Sequence, residues 1–299
     1  MVQNLKYIEA HSQRLDVYLR NQFPQISRNQ VSKVINSGLV LVNGILAKPS
    51  TKLRANDRIS FVKEQFNPPT IEKLDLDIIY EDDFCLVINK PSGIITHAKG
   101  LLSSEGSVAS FAKSHLDPDI DFSNSNNRAG IVHRLDRGTS GVIIVAKTSD
   151  AQKYLSRQFA TRKIRKTYLA LVKGKVSKPE AQINMPIERN PKQPSTFRPG
   201  PNGREALSRY LVIASNDQYS LLKVTPITGR THQIRVHLKA INHPIVGDTV
   251  YGGEPAERLM LHAASIEVNL PNLYPTTFSA PLPKIFLKYI RVNKKQLNL

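Results

Sequence analysis

Between Gly141 and Lys147 the chain reads Val-Ile-Ile-Val-Ala, an apolar run with no polar interruption. A short run of this kind, entered through glycines, reads as a strand buried in a core. That assignment fixes what precedes it. The segment His133-Arg134-Leu135-Asp136-Arg137-Gly138-Thr139-Ser140-Gly141 must be the loop that leads into the core. It sets one acid among arginines, and nearby positive charge favours the ionised carboxylate. Taken alone, the same segment also fits a plain turn, with Asp136 closing an Asx turn and Arg134 and Arg137 solvated. Segments further along the chain decide between the two.

The chain has 299 residues, long enough for a sizeable core and most simply divided into two domains. Hydrophobic residues at 40% and charged residues at 22% fit a soluble globular protein. The formal net charge of +18 is far from ordinary and favours a polyanionic partner, phosphate backbones above all. No apolar run approaches the roughly 18 residues of a spanning helix, so no membrane association is expected. Residues 1–22 lack the apolar segment of a secretory signal. Cys85 has no second cysteine to pair with, which agrees with a reducing, cytoplasmic setting. His232 and His237 miss the i, i+4 spacing of a helical zinc motif, and no metal site is expected.

Arg14 to Asn21 carries Leu15, Tyr18 and Leu19 at helical spacing. Ser27 followed by Gln30 is a capping-box signature for a second helix, with Val31, Val34 and Ile35 inward and Gly38 closing it. Asn43-Gly44, between Leu39–Val42 and Ile45–Ala47, predicts a hairpin on a type I′ turn, and Arg58–Val62 a further strand. This unit, set at residues 12–63, resembles the alpha-L RNA-binding motif. The resemblance implies that Arg28 and Lys33, on the second helix, face RNA. Residues 64–74, with Pro68-Pro69, read as an extended linker.

Residues 75–299 change in character to short apolar strands with interspersed helices. Strands are expected at Asp77–Tyr80, Cys85–Asn89, Val142–Ala146, Thr167–Val172, Ser208–Ala214 and Ser220–Thr225. Helices are expected near Ser107–His115, Asp150–Ala160 and Thr231–Ile241. Such an order is an α+β fold around a mixed, largely antiparallel sheet.

Four segments of this part read as one site: Ile88 to Gly93, the Asp136 loop, Arg165 to Ala170 with Tyr168 inside a strand, and Thr228 to Leu238, a glycine turn opening a helix. Together with Gly247-Asp248, Tyr251-Gly252, Leu261-His262-Ala263 and Ala280 to Pro283, they resemble the RluA/RluD family of pseudouridine synthases. The Arg128 to Val132 lead-in and the joined RNA-binding unit make the RluD type the nearest. The resemblance implies isomerisation of uridine in RNA without cofactor or metal, by cutting the nitrogen glycosidic bond and rejoining through carbon five. It implies Asp136 as the catalytic carboxylate, Arg235 as its ion-pair partner and Tyr168 as the ring on the target uracil. It further implies Arg134 filling the space of the extruded nucleotide and Leu261 walling the base pocket. Arg230 and Lys90 are weaker candidates, for phosphate contact or for structure. Large-subunit ribosomal RNA is the expected substrate, transfer RNA the rival, and a monomer the expected state. Two departures from the family pattern, Ala98 after His97 and Asn269-Leu270-Pro271 where His-Pro is usual, touch none of the three catalytic positions.

The basic stretch Lys153, Arg157, Arg162, Lys163, Arg165 and Lys166 leads into Tyr168 and could track an RNA backbone beside the site. Two other readings remain. A non-catalytic RNA-binding factor would share the charge but have no need of Asp136. A serine hydrolase built on Ser140, His133 and Asp136 lacks the G-x-S-x-G elbow that exposes a nucleophile.

Overall fold

The structure, a computed structural model, describes residues 2–66, 71–98, 104–117, 130–271, 275–293 and 296. Pro68-Pro69 of the expected linker and Arg128-Ala129 of the lead-in motif lie outside these residues. The chain divides into two units: the first holds the residues up to Lys73 and also His97–Gly106, and the second holds Leu74–Thr96 and the main part of the chain from Ser107 on.

In the first unit a sheet of order β1-β6-β3-β4 joins Val2–Lys6 (β1), Val40–Val42 (β3), Ile45–Leu46 (β4) and Arg58–Val62 (β6), while the short strands Gln13–Arg14 (β2) and Lys52–Leu53 (β5) pair separately. Helices Leu15–Gln22 (α1) and Arg28–Val34 (α2) bury Leu15, Tyr18, Leu19, Val31 and Val34 in one core with Ile59 and Phe61. The capping box read at Ser27 and Gln30 is present: the Ser27 amide and hydroxyl both donate to Gln30 Oε1, each at 2.6 Å. Asn43 and Gly44 have φ of 53° and 79°, the two left-handed residues that a type I′ hairpin requires. Strand β1 went unread; it pairs along the whole of β6.

In the second unit the strands are Asp77–Glu81 (β7), Cys85–Lys90 (β8), Ser140–Ala146 (β9), Arg165–Lys173 (β10), Glu180–Asn184 (β11), Ile187–Arg189 (β12), Phe197–Pro199 (β13), Leu207–Ser215 (β14), Tyr219–Pro226 (β15), Leu261–Asn269 (β16) and Pro275–Ser279 (β17). The main sheet runs β11-β14-β15-β10-β16-β9-β8-β7, with β17 also on β16. Its pairings are antiparallel except β9 on β16, which is parallel. Helices are Val108–Ala112 (α3), Ser149–Ala160 (α4) and Gln233–Ala240 (α5).

All seven residues of β9 are buried. Val142, Ile144 and Ala146 pack with Ala151 and Leu155 of α4, whereas Ile143 and Val145 pack with Val108 and Ala112 of α3. Both faces of the strand are therefore covered, and this is why its sequence shows no alternation.

The sheet forks at β9. This strand meets β16 only at Ser140 and Gly141, opposite His262 and Ala263; beyond that point β17 takes the same edge of β16. On the side that β16 has left, the Ile144 amide donates to His133 Nε2 at 3.0 Å and the Ala146 amide donates to the Gly130 carbonyl at 2.8 Å. The segment carrying the acid loop thus fills the fork, and Asp136 stands at its mouth. Gly141 makes the meeting of β9 and β16 possible: at φ 111°, a Cβ there would lie 2.1 Å from the Ala263 carbonyl oxygen. No helix among the described residues is long and apolar enough to cross a membrane.

Replacing Gly141 with alanine should therefore lower the unfolding free energy in urea by about 2 kcal/mol or more, through backbone strain and the clash together. A loss within about 0.5 kcal/mol, the range of an ordinary surface change, would show that the fork does not depend on that close approach.

Candidate active site

The Asp136 loop is fastened from behind by the strand-end segment Lys90 to Thr96. The hydroxyl of Thr96 donates to the Leu135 carbonyl at 2.9 Å and accepts the Leu135 amide at 3.1 Å. Ser92 Oγ donates to the Gly138 carbonyl at 2.7 Å, and the Gly93 amide donates to the Arg137 carbonyl at 2.8 Å. Lys90 is completely buried, and its Nζ donates to the carbonyls of Pro91, Ile94 and Arg137 at 2.9, 2.7 and 3.3 Å. Burial, with Arg258 adding to it, pulls this ammonium down to about 7. Of the two roles the sequence leaves open for Lys90, phosphate contact or structure, an ammonium enclosed by three carbonyl oxygens fits the structural one, a clamp on the loop.

Opposite the loop, Thr228 to Gln233 forms the turn into α5. Gln233 knits it together, accepting from Thr228 Oγ1 at 2.6 Å and from the Arg230 amide at 3.0 Å, and donating to the Leu207 carbonyl at 3.0 Å and Ser208 Oγ at 2.9 Å. Helix α5 then buries Ile234 and Leu238 in the core, as their spacing predicts, and carries Arg235 to the acid loop.

Arg235 uses all three nitrogens of its guanidinium. Nε and Nη2 donate to the two carboxylate oxygens of buried Asp248, each at 2.8 Å. The group lies 4.9 Å from the ring centroid of Tyr251, and Nη1 donates to Asp136 Oδ2 at 3.3 Å. Its closest carboxylate is Asp248, not Asp136. The sequence marks Asp248 only as part of a Gly-Asp motif, and nothing there reveals its partner. Burial works against the Arg235 charge, but Asp248 and Asp136 outweigh it and hold the guanidinium above its ordinary value.

Asp136, with 18% of its side chain exposed, lines a cavity of about 450 Å³ together with Arg134, Tyr168, Arg230, Arg235 and Leu261. The site residues read from the sequence in this unit thus meet around one cavity, Lys90 excepted. Arg134 is exposed at the cavity and Leu261 buried in its wall. Arg230 is tied by Nε to the Glu205 carbonyl at 2.9 Å. Of the basic stretch, Arg162 and Lys166 line the same cavity. Tyr168 sits at a break in register between β10 and β16. Burial, with the Asp136 charge adding to it, pushes the Tyr168 hydroxyl well above the usual phenol range. His232, which lies in the Thr228 to Leu238 segment but has no role of its own in the sequence reading, stands with Nε2 3.8 Å from Asp136 Oδ2. At this volume, one nucleoside-sized group fits.

The hydrolase arrangement does not form. Ser140 is buried and its Oγ lies 2.8 Å from His262 Nδ1, while it accepts from Arg258 Nη2 at 2.7 Å. His133 accepts from Ile144 and stacks on Phe159 with centroids 4.5 Å apart. No cluster able to hold a metal ion occurs among the described residues.

In the first unit, Asp16 is 2% exposed and takes Arg14 Nε on Oδ1 at 3.0 Å and Arg28 Nε on Oδ2 at 2.9 Å. Burial pushes that carboxyl up, but the two arginines prevail and hold it below the usual carboxylate range. Arg28 remains half exposed and Lys33 is exposed, so both cations are open to solvent on α2.

The model of the RNA pseudouridylate synthase family matches residues 84–240, and that of the S4 domain matches residues 13–59. An uncharacterized RNA pseudouridine synthase of Aquifex aeolicus is 40% identical over 82% of this chain and 78% of its own. The ribosomal large subunit pseudouridine synthase D of Xylella fastidiosa is 34% identical over 92% of this chain and 87% of its own. Among solved structures, human RNA pseudouridylate synthase domain containing 1 aligns with a TM-score of 0.56 and 28% identity, covering 71% of this chain and 86% of that one.

Burial, with the Lys166 charge adding to it, lowers His133 to about 3, and burial chiefly lowers His262 to about 4. The unfolded chain, with histidines near 6.5, then binds more protons between pH 6.5 and 4 than the folded one. Stability should fall as the pH drops through that window. His133→Gln, whose amide oxygen can still accept from Ile144, should remove about 1.4 kcal/mol per pH unit of that slope, read from urea unfolding at pH 6.5, 5.5 and 4.5. An unchanged slope would mean that His133 is not held neutral.

Proposed function

Because this chain belongs to the RNA pseudouridylate synthase family, we propose that it converts uridines of large-subunit ribosomal RNA to pseudouridine, with Asp136 as the catalytic carboxylate. That it is an RNA pseudouridine synthase carrying an S4 RNA-binding domain follows from the family itself. The choice of ribosomal RNA rests on relatives named ribosomal large subunit pseudouridine synthase D. The placement of the chemistry rests on one observation: Asp136 and Tyr168 line one cavity, and Arg235 Nη1 holds Asp136 Oδ2 at 3.3 Å.

The reaction is an isomerisation. The bond from uracil N1 to the sugar breaks, the base turns, a bond from C5 to the sugar forms, and one proton passes from C5 to N1. Asp136 acts either as nucleophile or as base at the sugar; both roles need an ionised carboxylate. Arg235, bonded to Asp136, is itself immobilised by Asp248, so little reorganisation remains when charge moves. A base inside a folded RNA reaches such a cavity only by leaving its stack, and Arg134, exposed at the cavity, takes the space it vacates. Tyr168 supplies a ring face to the detached uracil. Its hydroxyl stays protonated at neutral pH, which suits hydrogen bonding to the turning base. Leu261 closes the apolar side, and Arg230, Arg162 and Lys166 meet the phosphates around the target nucleotide. Arg28 and Lys33 bind RNA from the S4 domain, and each phosphate so contacted steepens the salt dependence by about one log–log unit. The work is done in the cytoplasm, on RNA being built into ribosomes.

Asp136→Asn should abolish pseudouridine formation while RNA binding persists. Pseudouridine mapped chemically on ribosomal and transfer RNA, from cells with and without the gene, should show a loss confined to ribosomal RNA. A loss confined to transfer RNA would overturn the substrate, and an active Asp136→Asn would overturn the carboxylate's role. Tyr168→Phe should keep the ring and RNA affinity but slow single-turnover formation by about 100-fold or more. A rate within a few-fold of the parent would reduce Tyr168 to its ring.

A further inference from the structure

His232 occupies a backbone conformation that is uncommon for a residue bearing a side chain. It stands at the N-terminus of α5 with φ 56° and ψ 18°, in the left-handed region that strains a residue bearing a side chain. The ring is gripped edge-on from two directions, by Phe197 at 5.5 Å and by Tyr251 at 5.6 Å between centroids. These restraints aim its two nitrogens. Nδ1 lies 2.8 Å from the Tyr251 hydroxyl oxygen, and Nε2 lies 3.8 Å from Asp136 Oδ2.

The hydrogen positions follow from the surroundings. The Tyr251 oxygen already accepts the Phe197 amide at 3.0 Å. Among the described residues, the acceptor within reach of its own hydrogen is His232 Nδ1. A neutral imidazole that accepts at Nδ1 carries its proton on Nε2, the nitrogen turned to Asp136. Burial lowers the ring's proton affinity; Arg235 and Arg134 lower it further, while Asp136 and Asp248 act against them, and the net direction is downward.

Two side chains therefore approach the same carboxylate oxygen, one within and one beyond hydrogen-bond distance. Arg235 Nη1 is on Oδ2 at 3.3 Å, His232 Nε2 approaches Oδ2 at 3.8 Å, and no described residue donates to Oδ1. We propose that His232 is a positioning residue for Asp136: Tyr251 locks its Nε2–H tautomer, that N–H joins Arg235 on Oδ2, and Oδ1 is left as the oxygen presented to the sugar. Hydrogen bonds of this kind are commonly long in a free enzyme and shorten when substrate closes the site. The inference rests on the reading of Asp136 as the catalytic carboxylate.

The test uses the full-length enzyme with unmodified ribosomal RNA transcript. Nitrogen-15 NMR of histidine-labelled protein should report His232 as the Nε2–H tautomer, and Tyr251→Phe should release that preference. His232→Asn suits the left-handed backbone and still offers Tyr251 an acceptor, but has no N–H at the Nε2 position. It should keep the melting temperature and RNA affinity while slowing single turnover at least tenfold. His232→Gln, which returns an N–H to that position, should recover part of the loss. An Nδ1–H tautomer, a His232→Asn enzyme at the parent rate, or a glutamine variant no faster than the asparagine one overturns the proposal. Asp136→Asn measured alongside separates the two ideas. If it is inactive while His232→Asn is unimpaired, only the role of His232 fails; if it is active, the role of Asp136 fails first.

Discussion

Arg235 is a cation taken almost wholly out of water, and the arrangement around it exists to make that tolerable. Its charge is met by a bidentate carboxylate, Asp248, at 2.8 Å on both oxygens, with Tyr251 against its face. Removing one partner of such a pair typically costs about 3–5 kcal/mol, because the other is left charged and unsolvated. Three N–H remain, and Asp136 receives one of them, from Nη1. The division of labour is physical: Asp248 keeps the guanidinium in place, so that Asp136 can be held without being fully neutralised. Lysine could not replace it, since a single ammonium has no planar fork to serve two carboxylates and a ring together.

The loop bearing Asp136 is as rigid as its partner. Its carbonyls at 135, 137 and 138 are each claimed from the 90–96 segment, by Thr96, by Gly93 and Lys90, and by Ser92. A loop at the mouth of a forked sheet would otherwise be free to open, because the edge of β9 there has no neighbouring strand. His133 and Gly130 satisfy that edge instead. The residues that sequence reading grouped with the site therefore separate into two kinds. Some face the cavity, and others, Lys90 and His133 among them, hold the backbone that aims Asp136.

Much of this was legible in the sequence because it is local. The buried strand after Gly141, the capping box at Ser27 and Gln30, the Asn43-Gly44 turn and the α5 stripe all depend on neighbours a few residues away. What escaped depends on partners far along the chain. Asp248 is thirteen residues from Arg235 and across a loop, so spacing alone cannot pair them. Leu261–Asn269 was seen only as a Leu-His-Ala motif, since His262, Ser265 and Glu267 interrupt its apolar pattern; the strand is held by neighbours on both sides rather than by composition. Glu180–Asn184 lies at one end of the sheet order, where three of its five residues are exposed and the pattern fades. Lys90 stayed open between two roles for an opposite reason. A lysine beside Pro-Ser-Gly looks like a surface cation, and only the three carbonyls around its Nζ reveal it as internal.

Strand β1 has a bearing on how the N-terminal domain can be handled. Paired along all five positions of Arg58–Val62, it occupies a row of amides and carbonyls that would otherwise stand open. An open row of that kind is a template for another chain's strand. Trimming the domain to its helices and hairpin, which the S4 match from residue 13 invites, would leave β6 as a bare margin bearing Ile59 and Phe61. A shortened version of this domain would then be prone to stick to copies of itself before it ever met RNA.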